Sequence, residues 1–107
     1  MVNKTASEEI IKVIYRFLKL VRANHISFEQ VYLYGSYAKG NPHEDSDIDL
    51  AIVAKEWQPD IFDAQFELMK IGRKVDVRIE PHPFCKSDFN ETNPYVREII
   101  TTGRLLH

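Results

Sequence analysis

The feature that most constrains this chain is a pair of aspartates, Asp47 and Asp49, at the start of an apolar run that ends at Ala54. The short apolar run predicts a well-packed β-strand. Residues two apart on a strand point to the same face, so the two carboxylates should lie side by side. Like charges this close repel each other. Mg²⁺, which is held by one or two carboxylates together with substrate phosphates, would relieve that repulsion.

A Gly-Ser pair lies ten residues before these aspartates and ends a second β-prone segment, Val31 to Tyr34. Gly35 permits a tight turn and leaves room for a phosphate where another residue would place a Cβ. Ser36 should begin a short helix, whose N-terminal N–H groups can bind phosphate. Lys39, one turn further on, can add positive charge beside a triphosphate; an exposed surface lysine is the alternative. The spacing predicts a nucleotide-phosphate site beside a metal site.

A third carboxylate is expected on a later strand, which the strict alternation from Lys74 to Glu80 predicts. Asp76 lies on the polar face of this predicted strand. It could complete a two-metal site or act as the base that deprotonates an acceptor hydroxyl. Glu80 shares that face and is the rival, but it adjoins Pro81, so we favour Asp76. A salt bridge with Arg78 is the non-catalytic alternative for Asp76.

The rest of the pattern predicts helices that alternate with these strands. Helical spacing predicts a first helix that includes Ile10 to Val21, a helix from Gln58 to Ile71, and a last helix opened by Asn93-Pro94. Pro81-His82-Pro83 is expected to break the third strand. The order α-β-α-β-α-β-α predicts an α+β (α/β-like) fold. We expect a single domain over residues 1–107, with a small mixed β-sheet flanked by helices.

The composition of the chain limits its cellular location and the partners that it can bind. A net charge of −2 gives no bulk attraction to nucleic acid or to anionic lipid, so neither partner is expected. Cys85 is the only cysteine, and the polar N-terminal residues lack the apolar core of a signal peptide. No apolar run approaches the roughly 20 residues that span a bilayer. We therefore expect a cytoplasmic protein without an intrachain disulfide.

The stretch VYLYGSYAKGNPHEDSDIDLAIV, residues 31–53, resembles the core of the DNA polymerase beta-like nucleotidyltransferase superfamily. More narrowly, the whole chain resembles the minimal nucleotidyltransferases of bacteria and archaea. The resemblance implies that Gly35 and Ser36 bind the nucleotide phosphates. It implies that Asp47, Asp49 and Asp76 serve the metal site, with two Mg²⁺ ions as the expected cofactor. It also implies transfer of AMP from ATP to a hydroxyl acceptor.

The same resemblance implies a partner. Members of the family often occur beside a HEPN-domain toxin, and in some the nucleotidyltransferase is the antitoxin because it adenylylates a tyrosine of that toxin. Three alternatives stay open from the sequence: neutralisation of a toxin by occlusion, transfer to a small molecule, and transfer to RNA. A domain this small leaves the nucleotide exposed, so we expect a partner or a second copy of the chain to complete the site.

Overall fold

The structure is a computed structural model that describes residues 4–40 and 46–107. Helices and strands alternate along the chain, which confirms the predicted α+β class. The elements are α1 Lys4–Ala23, β1 Gln30–Tyr34, α2 Ser36–Lys39, β2 Ile48–Ala54, α3 Ile61–Val75, β3 Ile79–Cys85, α4 Pro94–Thr102 and β4 Arg104–Leu105. A 3₁₀ turn, Lys86–Asp88, follows β3.

The strands form a mixed sheet in the order β3-β2-β1-β4. β1 lies antiparallel to β2 and to β4, whereas β2 lies parallel to β3. The C-terminal end of β1 therefore lies at the same end of the sheet as the N-terminal ends of β2 and β3. The Gly-Ser pair and the two aspartates meet at this end, although ten residues separate them in the sequence.

One face of the sheet is covered by α1 and α3. Alternate strand residues, including Leu33 of β1 and Leu50 of β2, are buried there with Phe17 of α1 and Leu68 of α3. Complete burial of such a side chain contributes roughly 1.5–3 kcal/mol, so these contacts fix which way each strand faces. Because side chains alternate along a strand, Asp49 must point to the opposite face.

The opposite face is covered in part by α4. Ile99 of α4 packs there with Tyr34 of β1 and Ala51 of β2. The last helix begins where the sequence predicted, because the Asn93 side chain accepts a hydrogen bond from the backbone N–H of Tyr95 at 2.9 Å. This cap places α4 beside the end of the sheet that carries the two sequence motifs.

The third strand lies further along the chain than the sequence predicted. The alternation from Lys74 to Glu80 is not a strand, because α3 continues to Val75 and β3 begins at Ile79. Val77, which the alternation assigns to a buried face, is 80% exposed in the turn between α3 and β3. The apolar residues in that segment therefore belong to three different structures, the end of a helix, a turn and the start of a strand.

The prediction that Pro81-His82-Pro83 breaks the strand is also wrong, because β3 is an edge strand of the sheet. The Arg78 carbonyl accepts a hydrogen bond from the Ile48 N–H at 2.7 Å, so every second residue from Arg78 turns its backbone toward β2. Pro81 and Pro83 fall between these residues. Their backbone nitrogens face away from β2, where a missing N–H removes no ladder hydrogen bond.

The helix predicted from Gln58 to Ile71 is confirmed but shifted, and it runs from Ile61 to Val75. The shift has a local cause, since the Asp60 side chain accepts hydrogen bonds from two backbone N–H groups of the first turn, both at 2.9 Å. Among residues 4–40 and 46–107, no helix has both the length and the apolar character that crossing a bilayer requires.

Candidate active site

Gly35 connects the end of β1 to α2 through a backbone conformation that favours glycine. Its φ is +75°, which L side chains rarely adopt. A Cβ at this position would overlap with Oδ2 of Asp49, so a larger residue would displace that carboxylate. The turn after β1 is thus in direct contact with the aspartate of β2. Ser36 follows as the first residue of α2, and it is partly buried.

Asp47 and Asp49 lie at the start of β2, where the charge of Asp47 acts on Asp49. Asp47 precedes the strand by one residue and is exposed, whereas the Asp49 side chain is 27% exposed. Burial raises the pKa of Asp49 above its usual range. His82 opposes that rise, and the negative charge of Asp47 adds to it. The Asp49 carboxylate is thus partly buried and lies near a second negative charge.

Glu80 is the carboxylate that the sheet brings next to Asp49. The parallel register of β2 and β3 pairs these two residues directly. Paired residues on neighbouring strands lie about 4.8 Å apart and share a face. Both carboxylates act on Tyr34, whose hydroxyl pKa is raised by burial first, then by Tyr95, and also by the charges of Asp49 and Glu80. Glu80 therefore occupies the position in which a third carboxylate would lie beside Asp49.

Asp76, which we favoured for that role, lies in a different environment. It ends α3 as the C-terminal cap, and its backbone N–H donates to the Gly72 carbonyl at 2.9 Å. Its carboxylate accepts hydrogen bonds from Arg78, from the backbone N–H at 2.9 Å, Nε at 3.0 Å and Nη2 at 2.8 Å. These hydrogen bonds hold the pKa of Asp76 below its usual range. The predicted strand position of Asp76 is wrong, and the alternative salt bridge is observed.

The Asp76–Arg78 pair links the start of β3 to α2. Arg78 Nη1 donates to the Tyr37 hydroxyl of α2 at 3.3 Å. Lys39 is the last residue of the same helix, but its side chain lies outside the described residues, and so do residues 41–45. The phosphate contact expected of Lys39 stays a prediction.

Three ring-bearing side chains that the sequence analysis did not assign border the carboxylates. The hydroxyls of Tyr34 and Tyr95 are 2.9 Å apart. The ring of His82 lies 6.0 Å from that of Tyr34, and its Nε2 lies 3.8 Å from Oδ1 of Asp49. A pocket of about 180 Å³ opens beside them and is lined by Tyr34, Gly35, Tyr95, Glu98, Ile99 and Thr102.

Strand alternation could have placed Tyr34 on the face of Asp49 once β1 and β2 were paired. His82 required the edge-strand position of β3, which its two flanking prolines obscure. No local sequence pattern identifies Tyr95 as part of the site, because its hydroxyl contacts that of Tyr34, which is 61 positions away in the sequence.

The carboxylates fit a divalent cation whose coordination is completed by a substrate. Among the described residues, no three His, Cys, Asp or Glu side chains converge closely enough to hold a metal ion on their own. Asp47 and Asp49 nevertheless offer hard oxygen ligands on one face, and Glu80 adds a neighbouring carboxylate. Mg²⁺ keeps several waters and takes further ligands from phosphates. The arrangement therefore suits Mg²⁺ bound with a nucleotide better than a closed structural metal site.

A larger cavity, of about 540 Å³, lies at the opposite end of the sheet. It is lined by residues that precede β1, follow β2 or belong to α3: Asn24, His25, Ile26, Ser27, Glu56, Trp57, Gln58, Ala64 and Glu67. None of the residues of the two sequence motifs lines it. The site beside Gly35 is therefore identified by its glycine turn and its carboxylates, and not by the size of its cavity.

Comparison with known proteins gives a consistent result. The sequence profile described as "Polymerase beta, Nucleotidyltransferase" matches residues 17–107. The protein adenylyltransferase MntA of Shewanella oneidensis is 35% identical over 66 residues, which are 61% of this chain and 46% of that protein. The match thus spans less than half the length of that relative. A Methanocaldococcus jannaschii protein, whose name assigns it the same activity provisionally, is 33% identical over 101 residues, which are 87% of this chain and 99% of that protein.

A solved structure shares the fold. It is a crystal structure described as a toxin–antitoxin with AMP-PNP, and it superposes with a TM-score of 0.62 and 27% sequence identity. The superposition covers 91% of this chain and 72% of that chain. AMP-PNP is an analogue of ATP with nitrogen in place of the oxygen between the β and γ phosphates.

Proposed function

This chain belongs to the polymerase beta nucleotidyltransferase family, and from that premise we propose that it transfers AMP from ATP to a hydroxyl group of a partner protein in the presence of Mg²⁺. The observation that carries the proposal is the contact between the Gly35 turn and the Asp49 carboxylate, with Asp47 and Glu80 beside it. A backbone position without a Cβ and three carboxylates thus lie at one end of the sheet.

The proposed reaction assigns a part to each of these residues. When bound, Mg²⁺ supplies positive charge that neutralises the phosphates. Asp47 and Asp49 hold it, and Glu80 either adds a ligand or accepts the proton of the acceptor hydroxyl. Gly35 leaves room for the triphosphate beside these carboxylates, and Ser36 adds an N–H and a hydroxyl donor. The acceptor oxygen attacks the α-phosphorus, and pyrophosphate leaves.

We further propose that the acceptor is a tyrosine hydroxyl of a HEPN-domain toxin, which would make this chain an antitoxin. Support comes from the relative that is named a protein adenylyltransferase and from the similar structure of a toxin–antitoxin. The site is also compatible with a macromolecular acceptor. Asp47 is exposed, and α4 covers only part of the face to which Asp49 points.

Transfer from ATP labelled with ³²P tests the proposal directly, with the protein encoded by the adjacent gene as the acceptor. With ATP labelled at the α-phosphate, we expect label on that protein, and only when Mg²⁺ is present. With ATP labelled at the γ-phosphate, we expect none, because the γ-phosphate leaves in pyrophosphate. Phosphoamino-acid analysis after nuclease digestion of the AMP adduct identifies the acceptor residue.

Label from the γ position would identify a kinase reaction and contradict the proposal. A stable complex that neutralises the partner without any label would instead favour neutralisation by occlusion. Label on RNA but not on protein would move the acceptor to nucleic acid.

A further inference from the structure

We propose that Tyr95 is an internal acceptor, so that the chain adenylylates the Tyr95 hydroxyl with ATP as the donor. This inference rests on the proposed function, because it uses the same site and the same donor. It adds an acceptor within the chain itself, on the helix that borders the carboxylates.

The position of Tyr95 is fixed by contacts on both sides of its ring. The backbone is held by the Asn93 cap at the start of α4. The ring packs perpendicular to that of Tyr34, with centroids 6.2 Å apart, and lies 6.3 Å from the ring of Phe84. Tyr95 is 51% exposed as a whole residue, yet its hydroxyl forms a hydrogen bond with the Tyr34 hydroxyl at 2.9 Å.

Tyr34 connects this hydroxyl to the carboxylates. The antiparallel register pairs Tyr34 with Asp49 directly, and the negative charges of Asp49 and Glu80 act on the Tyr34 hydroxyl. Tyr95 is therefore one hydrogen bond away from a group that lies in the field of both carboxylates. The pocket of about 180 Å³ is lined by both tyrosines and by Gly35, so Tyr95 borders the same space as the turn that is expected to bind the phosphates.

The two tyrosines differ in a way that selects the nucleophile. Tyr34 is only 9% exposed and its ring is packed in the cluster with Ala51 and Ile99, so its hydroxyl is held in place. Tyr95 is half exposed and lines the pocket beside Gly35, so a bound nucleotide can reach it. Tyr37, the tyrosine of α2, instead accepts a hydrogen bond from Arg78.

The transfer step balances with ATP as the only co-reactant. A bond forms between the Tyr95 oxygen and the α-phosphorus of ATP. The bond from that phosphorus to its bridging oxygen breaks, and pyrophosphate leaves with the electron pair. The Tyr95 proton passes to Tyr34, whose own proton passes to the Glu80 carboxylate. The adduct leaves AMP beside Gly35, so each chain is modified once.

The test uses the purified chain alone with α-³²P-labelled ATP and Mg²⁺, read by intact mass and by peptide mapping. We expect a single AMP on the peptide that contains Tyr95. Tyr95→Phe keeps the ring and removes the acceptor, so its label should be absent. Tyr34→Phe keeps the acceptor and removes the proton relay, so labelling should slow on the order of 10²-fold. The rate constant should not change on tenfold dilution, because the reaction is intramolecular.

Labelling of the adjacent-gene protein, measured in parallel, separates failure of this inference from failure of the proposed function. A chain that labels its partner but never itself overturns the inference alone. Label on another residue, or label that survives in Tyr95→Phe, also overturns it. A rate that rises in proportion to protein concentration would contradict the intramolecular step. Absence of label on both proteins would overturn the proposed function as well.

Discussion

Replacement of Asp49 by asparagine is expected to abolish AMP transfer and, in the absence of metal, to make the folded protein more stable. The loss of transfer follows from the proposed role of Asp49 as a ligand. Metal-ion catalysis contributes several kcal/mol, and each 1.4 kcal/mol or so is a factor of ten in rate. We therefore expect a loss on the order of 10³-fold or more in the label-transfer assay.

The gain in stability follows from the sign of the pKa shift. Burial raises the pKa of Asp49 in the folded state, so the folded protein disfavours the charged carboxylate. The cost is present at neutral pH and disappears as pH falls through the raised pKa toward the ordinary value of about 4. Asparagine carries no charge, so it removes the cost.

Thermal unfolding in a metal chelator measures this second effect. The melting temperature of Asp49→Asn should exceed that of the wild type at pH 7, and the difference should shrink as the pH is lowered toward 4. Asp63→Asn is the matched control, because Asp63 is exposed on α3, at the other face of the sheet. It should leave transfer unchanged. Full transfer by Asp49→Asn, or a lower melting temperature without metal, would contradict the assignment.

Substitutions at Glu80 and Asp76 are expected to have opposite consequences. Glu80→Gln should reduce transfer on the order of 10²-fold or more, because it removes a proton acceptor or a metal ligand beside Asp49. Asp76→Asn should leave most of the transfer intact. It should instead lower the free energy of unfolding at neutral pH by about 1 kcal/mol, since it weakens a partly exposed ion pair with Arg78.

The pH dependence separates the two roles further. The pKa of Asp76 is lowered by Arg78 in the folded state. Its contribution to stability is therefore present above the ordinary pKa of about 4 and is lost as pH falls through the lowered value. Urea unfolding at pH 7 and at pH 3 measures it, and the deficit of Asp76→Asn should be smaller at pH 3. If Asp76→Asn lost transfer and Glu80→Gln kept it, Asp76 would be the third carboxylate after all.

The parts of the site that the sequence predicted are those that depend on local spacing. Gly35 directly follows one strand, Asp47 directly precedes the next, and Asp49 lies within it, so a strand period and a turn residue were sufficient to predict these positions. The contact between Gly35 and Asp49 follows from an antiparallel pairing that the sequence does not display, but each partner was identified by its own pattern.

The third carboxylate could not be chosen from alternation alone. Val75, Val77 and Ile79 alternate like a strand, although the helix extends through the first and the turn exposes the second. Glu80 reaches Asp49 through the parallel register of β2 and β3, which is a long-range property. The neighbouring Pro81 made Glu80 the less favoured choice for the third carboxylate. An edge strand, however, tolerates proline where its backbone nitrogen faces away from the neighbouring strand.

The aromatic side chains beside the carboxylates were missed for the same reason. Tyr95 lies on the last helix, and only the packing of α4 against the sheet brings its hydroxyl to Tyr34. Patterns of two or four residues describe one element at a time. The aromatic side chains beside the carboxylates come from β1, β3 and α4, so their proximity depends on how these three elements pack.

The most direct test of the site is the position of a bound cation. Mn²⁺ favours the oxygen ligands that Mg²⁺ favours, so crystals grown with Mn²⁺ and a non-hydrolysable ATP analogue can be examined by anomalous diffraction. We predict an anomalous peak held by Asp47 and Asp49 with Glu80 adjacent, and phosphates against Gly35 and Ser36. A peak coordinated by Asp76, or phosphates bound away from Gly35, would contradict the account.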